Sequence, residues 1–128
     1  MKKIIIIGLS FLLLIILVGL ISYNVIDHNL KSLLTDDIEE IELSRVDNGE
    51  YIGTYEIFPI SVEVSVKVID HKINQIAILK HDNGQGKAAE SIIDSVIKEN
   101  SIHVDVVSGA SYSSQVILHA ISNAINQK

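Results

Sequence analysis

The stretch that decides the fold is Ile60-Ser61-Val62-Glu63-Val64-Ser65-Val66-Lys67-Val68-Ile69. Its valines occupy every second position, and polar residues fill the positions between them. Because successive side chains of a strand point to opposite faces, this alternation predicts a strand with one apolar and one polar face. Asp70-His71 then predicts a short turn, and residues 73–80 predict the strand that returns beside it.

The segments on either side complete the pattern of a mixed domain. Asn48-Gly49 is a turn signal, and residues 50–57 after it predict another strand. Residues 87–100 have helical periodicity, residues 101–107 predict a short extended segment, and a last helix is expected from about 113 to 126. The last helix is expected to bury Val116, Ile117, Ala120, Ile121, Ala124 and Ile125. This order predicts an α+β fold, with an antiparallel sheet and two C-terminal helices packed on it.

The N-terminus carries the longest apolar run of the chain. Lys2 and Lys3 precede residues 4–22, which contain no charged residue. As a helix this run spans about 29 Å, close to the roughly 30 Å hydrocarbon core of a bilayer. A cleavable signal peptide is the alternative, but it requires a shorter apolar region and a small-x-small cleavage site, and no such site is present. The run therefore favours an uncleaved transmembrane helix.

The domain organisation follows from that helix. We expect a membrane anchor over residues 1–22, a helical stalk over 23–45 and a folded domain over 46–128. The positive-inside rule keeps Lys2 and Lys3 in the cytoplasm, so the sequence predicts a single-pass protein of the cell membrane with an extracytoplasmic C-terminal domain.

Charge and cysteine content exclude several classes of protein. The net charge of −6 and the scattered basic residues argue against a nucleic-acid partner. The absence of cysteine excludes disulfides and thiolate metal sites.

The main candidate site is Asp105-Val106-Val107-Ser108-Gly109-Ala110-Ser111-Tyr112-Ser113-Ser114. A small-residue turn that opens a helix gathers unpaired backbone N–H groups and the positive end of the helix dipole, which suits a phosphate. Ser111 adds a hydroxyl that a phosphate can esterify. The alternative is an ordinary helix cap made by Ser108 or Ser111 without any ligand.

Other constellations are weaker. Ser95-Val96-Ile97-Lys98 matches S-x-x-K, but the S-D-N and K-T-G motifs that accompany it in penicillin-recognising enzymes are absent. Ser111 lacks a nearby base and a G-x-S-x-G motif, which disfavours a hydrolase. His103 and Asp105, with His81, match a metal site only loosely. We therefore expect neither a catalytic nor a metal-binding residue.

From about residue 47 to 125 the chain resembles the FMN-binding domain family. The stretches that carry the resemblance are Asp47-Asn48-Gly49-Glu50-Tyr51 with Gly53, Val62 to Val68 with Lys72-Ile73, His81-Asp82-Asn83-Gly84-Gln85-Gly86-Lys87, Asp105, Ser108-Gly109-Ala110-Ser111, and Ser113-Ser114. The family's mark is an aspartate followed by S/T-G-A-T, a further small hydroxyl residue and a helix. Serine stands here at position 111, where the family usually has threonine.

The resemblance implies a covalent flavin. In this family a magnesium-dependent extracytoplasmic transferase joins FMN, taken from FAD, through a phosphoester to the last residue of S-G-A-T, which is Ser111 here. Ser108, Gly109 and Ala110 then supply the turn, and Asp105 belongs to the transferase recognition motif. The cofactor-binding residues expected by resemblance are Asp105, Ser108, Gly109, Ala110, Ser111, Ser113, Ser114, His81, Gly84 and Gly86.

The function that the resemblance implies is electron transfer. The expected partners are the membrane, the flavin transferase, and redox proteins or quinones that donate and accept electrons, and the protein is expected to be a carrier without a substrate of its own. Two alternatives remain open: an anchored module of the same fold that carries no flavin and binds a partner protein, and a domain that binds FMN without a covalent bond.

Overall fold

The computed structural model describes residues 1–82 and 86–127, and it has the α+β fold that the sequence predicts. The helices and strands, in chain order, are α1 Lys2–Thr35, β1 Gly49–Ile57, β2 Ile60–Ile69, β3 Lys72–Asp82, α2 Ile92–Glu99 and α3 Ser111–Ile125. Two short 3₁₀ segments, Leu43–Arg45 and Gly86–Ser91, precede β1 and α2.

The sheet is an antiparallel meander in the order β1-β2-β3. The predicted turn Asp70-His71 joins β2 to β3 with both residues at positive φ, 51° and 59°. Positive φ at both central positions is the geometry of the turn that matches the twist of a two-residue hairpin. The backbone N–H of Asp70 donates to Asn48 Oδ1 at 2.7 Å, which helps an aspartate to hold this conformation without glycine.

The core lies between the apolar face of the sheet and α3. The valines that alternate along β2 are fully buried, as the sequence predicts. The set expected to be buried on the last helix is confirmed in full. Burying a side chain of this size contributes about 1.5–3 kcal/mol, so this layer is a large part of the apolar stabilisation of the domain.

Gly53 brings β1 and α3 into backbone contact. A Cβ at this position would overlap the carbonyl oxygen of Ala120 and the amide nitrogen of Ala124, and it would lie 2.7 Å from the Cα of Ala124. The small residues on both elements therefore let the helix rest directly on the strand. This contact fixes the C-terminal half of α3 against the sheet.

α1 ends before the end of the predicted helical stalk. The helix ends at Thr35, with Asp36 extended, whereas the apolar periodicity predicts helix as far as residue 45. Residues 36–42, which we call the strap, instead lie along α3, where Ser122 Oγ donates to Glu39 O at 2.5 Å and Asn126 Nδ2 to Glu40 O at 3.1 Å. The strap is rich in acidic residues. Their carboxylates repel one another and the negative C-terminal end of α1, which disfavours the continuation of α1 through the strap.

The predicted stalk is thus packed against the domain. Leu33 and Leu43 are buried in the core, and Leu30, Ile38 and Ile41 pack against it. α1 is long and apolar enough to cross a membrane, a property that signal sequences near an N-terminus share.

The segment between β3 and α3 is less regular than predicted. The helix expected over 87–100 is a 3₁₀ segment followed by the short α2, which ends at Asn100 in the left-handed region with φ of 51°. Asn100 Oδ1 accepts the backbone N–H of Ile73, so the helix end is tied to the start of β3. Residues 101–107, expected to be extended, form no strand with any part of the chain that the structure describes.

Candidate cofactor site

The site is a tight turn that leads into α3. Gly109 has φ of +79°, a conformation that favours glycine, and a Cβ there would meet no atom within 4 Å. The N–H of Ala110 donates to Val107 O at 3.0 Å, which closes the turn. The helix therefore begins at Ser111, two residues earlier than the sequence predicts.

The start of α3 lacks a side-chain cap among the described residues. Ala110 occupies the capping position, and the first backbone bond of the helix is from Ser114 N–H to Ala110 O at 2.9 Å. Neither Ser108 nor Ser111 caps the helix, so the alternative of an ordinary serine cap does not describe this turn. The N–H groups of the first turn keep the positive end of the helix dipole, and both favour an anion.

A cavity of about 190 Å³ opens at this helix start. It is lined by Ile60, Gly86, Gly109, Ala110, Ser111, Tyr112 and Ser113. Five of these residues belong to the predicted cofactor set, and the structure brings them together from two separate parts of the chain. Since pockets that enclose a whole ligand usually measure about 300–1,000 Å³, this one suits the phosphate end of a nucleotide and leaves the rest outside.

Ser114 has a structural role instead of the predicted contact with a cofactor. Its side chain is fully buried, and its hydroxyl accepts the N–H of Val107 at 3.0 Å and donates to Ala110 O at 2.9 Å. Both hydrogen bonds join the turn to the first turn of α3. The clasp, as we call this pair of bonds, therefore holds the backbone on which Ser111 sits.

Accessibility separates the serine hydroxyls of the site. Ser113 is only 3% exposed, and Ser114 is used by the clasp, whereas Ser111 is half-buried at the cavity. Ser111 therefore presents the aliphatic hydroxyl best placed to react with a phosphate bound at the helix start.

His81 lies at the end of β3 in a charged network. Its side chain is 2% exposed, and Nδ1 lies 3.0 Å from Glu90 Oε1, while Lys87 Nζ is 2.7 Å from Glu90 Oε2. Hydrogen bonds from Lys87 and then from His81 lower the pKa of the Glu90 carboxyl. His81 thus orders the segment that supplies Gly86 to the cavity, and it is not among the residues that line it.

Three predicted residues are not found at the cavity among the described residues. Asp105 and Ser108 are exposed and do not line the cavity, and Gly84 lies outside the described residues. Ile60 is a lining residue that the sequence analysis did not select. The sequence signal that could have indicated Ile60 is its position directly after Pro59. Ile57 pairs with Ile60 across the β1–β2 hairpin, and this end of the hairpin lies near the start of α3.

These features define a class: an α+β domain with an uncapped helix start beside a cavity, an arrangement that suits a phosphate-bearing cofactor. The sequence profile of the FMN-binding domain matches residues 58–126, which include β2, β3, the cavity and α3. The match covers more than half of the chain, and the chain belongs to the FMN-binding domain family. The uncapped helix start and the cavity fit the phosphate of FMN, so the family and the geometry agree on this cofactor.

A curated relative points to redox chemistry. The NADH:acrylate oxidoreductase of Vibrio harveyi is 26% identical over 112 residues, which make up 84% of this chain and 11% of that protein. The chain thus spans about a ninth of the relative it matches. Together the family and this likeness support a flavin-binding redox role.

Proposed function

We propose that this chain is a membrane-anchored, extracytoplasmic electron carrier whose FMN is joined by a phosphoester to Ser111. The observation that carries the proposal is the half-buried Ser111 hydroxyl at the uncapped start of α3, beside a cavity of phosphate size. Membership of the FMN-binding domain family supports the cofactor.

The attachment is a substitution at phosphorus. The Ser111 oxygen attacks the FMN phosphorus of FAD, the bond to the bridging oxygen of the pyrophosphate breaks, and AMP leaves while the serine proton passes to a base of the transferase. The first-turn N–H groups of α3 bind the phosphate oxygens, and the helix dipole stabilises their charge. The flavin itself supplies the electron chemistry, and the protein supplies its position.

The apolar residues of α1 support the anchor. Their length suits a bilayer, and the lysines before them favour an N-terminus on the cytoplasmic side. Outside the cytoplasm free FMN is dilute, so a covalent bond prevents the loss of the cofactor by mass action. The name of the relative, an oxidoreductase, supports a redox role, and we propose redox proteins or quinones as the partners.

The test is to express the full chain with a magnesium-dependent flavin transferase, denature it and measure flavin fluorescence on the gel band. We expect fluorescence in the wild type, none in Ser111→Ala, and wild-type fluorescence in the control Ser95→Ala, a serine of α2 that does not line the cavity. Flavin that is bound natively but released on denaturation would support the non-covalent alternative. No flavin in either condition, while a threonine-type substrate is modified by the same transferase, would support the flavin-free interaction module.

A further inference from the structure

We propose that the cavity end of the domain faces the membrane, and that Phe58, at the tip of the β1–β2 hairpin, lies in the lipid headgroup layer. The proposal rests on the anchor of the proposed function. It adds the orientation of the domain and a second contact with the bilayer.

The first step is that the domain begins close to the bilayer. α1 is one continuous helix, and its apolar run ends at Ser22. Ile26 is already half-buried, about 6 Å further along the helix axis, and Leu33 is 1% exposed in the core. The last turns of α1 are therefore part of the domain, so the helix and the domain orient each other.

The second step is the contact between α1 and the hairpin tip. Asn29 Nδ2 donates to the carbonyl oxygen of Phe58 at 3.0 Å. About 10 Å of helix separates Asn29 from Ser22, and the headgroup layer extends roughly 5–8 Å beyond the hydrocarbon core. The backbone of Phe58 therefore lies at the outer edge of the headgroups, a distance that its ring can span. The Phe58 side chain is 60% exposed, although it is a large apolar ring.

The third step is the direction of the strap. Beyond Thr35 the chain contacts α3 at Ser122 through Glu39 and then at Asn126 through Glu40. Moving away from the membrane along the chain thus means moving from the start of α3 towards its end. Ser111, at the start of α3, lies at the membrane end of the domain.

The sheet gives the same orientation independently. Ile60, two residues after Phe58, lines the cavity with Ser111. β2 runs from this end to Ile69, about 30 Å away in an extended strand. The hairpin Asp70-His71 therefore marks the far end of the domain.

One charged pair on α1 near Phe58 is compatible with a lipid interface. Asp27 and Lys31 pair with each other at 2.8 Å on the exposed part of α1, so they add no net charge beside the bilayer. Phenylalanine, like tryptophan and leucine, is a residue that interfacial segments bury at the boundary between headgroups and acyl chains. A cofactor bound at Ser111 is then reached from the membrane side, which suits an electron partner that resides in the bilayer.

The experiment uses the absence of tryptophan from the chain. Phe58→Trp, just before β2, and Ile69→Trp, at its far end, each introduce a single tryptophan. Ile69 is a suitable control because it is also exposed, at 37%. The full-length variants are reconstituted into phosphatidylcholine vesicles whose lipids are brominated close to the headgroup. Flotation of the vesicles and flavin fluorescence on the gel are measured on the same samples.

We expect the vesicles to carry both variants, with most of the fluorescence lost at position 58 and none lost at position 69. Loss at 69 instead of 58 would show the opposite orientation, and no loss at either position would show a domain held away from the lipid; both results overturn the proposal. Failure to float would overturn the anchor itself. The gel signal reports the flavin separately, so its absence would count against the proposed function and not against this orientation.

Discussion

The two halves of α3 differ in how they are packed. Its C-terminal half is closed: Gly53 meets its backbone directly, the strap bonds to Ser122 and Asn126, and Asn123 Nδ2 donates to Thr54 O at 2.8 Å. Its N-terminal end is open, because no described side chain caps it and a cavity lies beside it. A helix firmly held at one half can leave the N–H groups of the other end available to a ligand.

The largest expected effect comes from breaking the closed half. The methyl group of Gly53→Ala would overlap backbone atoms of α3. We therefore expect the free energy of unfolding to fall by at least about 3 kcal/mol. Urea unfolding of the full chain in detergent measures it. Gly49→Ala is the matched control in the same strand, because a Cβ there comes no closer than 3.4 Å to the flexible Tyr51 ring. Equal stability of the two variants would contradict the close contact.

The next largest effect is expected from removing the clasp. Ser114→Ala removes the acceptor for the Val107 N–H inside the structure, and we expect a cost of about 1–3 kcal/mol. The same measurement on Ser108→Ala, an exposed serine of the same turn, should give almost no change. Ser111→Ala should abolish covalent flavin with little loss of stability, which separates the chemical hydroxyl from the structural one. A Ser114→Ala variant as stable as wild type would refute the clasp.

A pH dependence should arise from the closed half. His119 is 6% exposed and stacks on Tyr55 with ring centroids 4.3 Å apart, and burial lowers its pKa from the usual 6.5, although Asp36 opposes this. Between that lowered pKa and 6.5 the unfolded chain binds the proton first, so stability falls as the pH falls through this range. One proton gives at most about 1.4 kcal/mol per pH unit.

His119→Phe keeps a ring against Tyr55 and removes the titration, so its stability should change less between pH 7 and pH 5 than that of the wild type. His103→Asn serves as the control, since the His103 side chain is 65% exposed. Chemical unfolding at each pH provides the measurement. An unchanged slope in His119→Phe would exclude His119 as its source.

The smallest effect concerns the open end. Ser111→Thr adds a methyl group that restricts the first side-chain torsion and so holds the hydroxyl more steadily. We expect flavin attachment at least as complete as in wild type, and a change in stability within about 0.5 kcal/mol. The rate of attachment by the transferase is the sensitive measurement. Slower attachment to threonine would indicate that the turn is fitted to serine.

The periodic parts of the molecule could be predicted, because periodicity is a local property of the sequence. The β2 valines and the buried face of α3 follow directly from spacings of two and of three to four residues. The end of α1 could not be predicted in this way, because the strap exchanges helical bonds for contacts with Ser122 and Asn126, far along the chain.

The candidate site divides in the same way. The glycine turn follows from the motif, and so does the position of Ser111, the proposed attachment residue. The role of Ser114 and the contribution of Ile60 depend on which atoms meet after folding, and no spacing in the sequence records that. The resemblance indicated His81 as a cofactor residue. In the structure His81 contacts Glu90 and does not line the cavity.

The clasp has a consequence for the energetics of cofactor binding. By bonding to both Val107 and Ala110, the Ser114 hydroxyl makes the turn a cross-linked ring whose shape is set when the domain folds. The entropy of ordering that loop is then lost during folding and not at the moment of binding. A phosphate would therefore bind to a preorganised turn. The affinity of the site for the nucleotide is not reduced by the cost of ordering the loop.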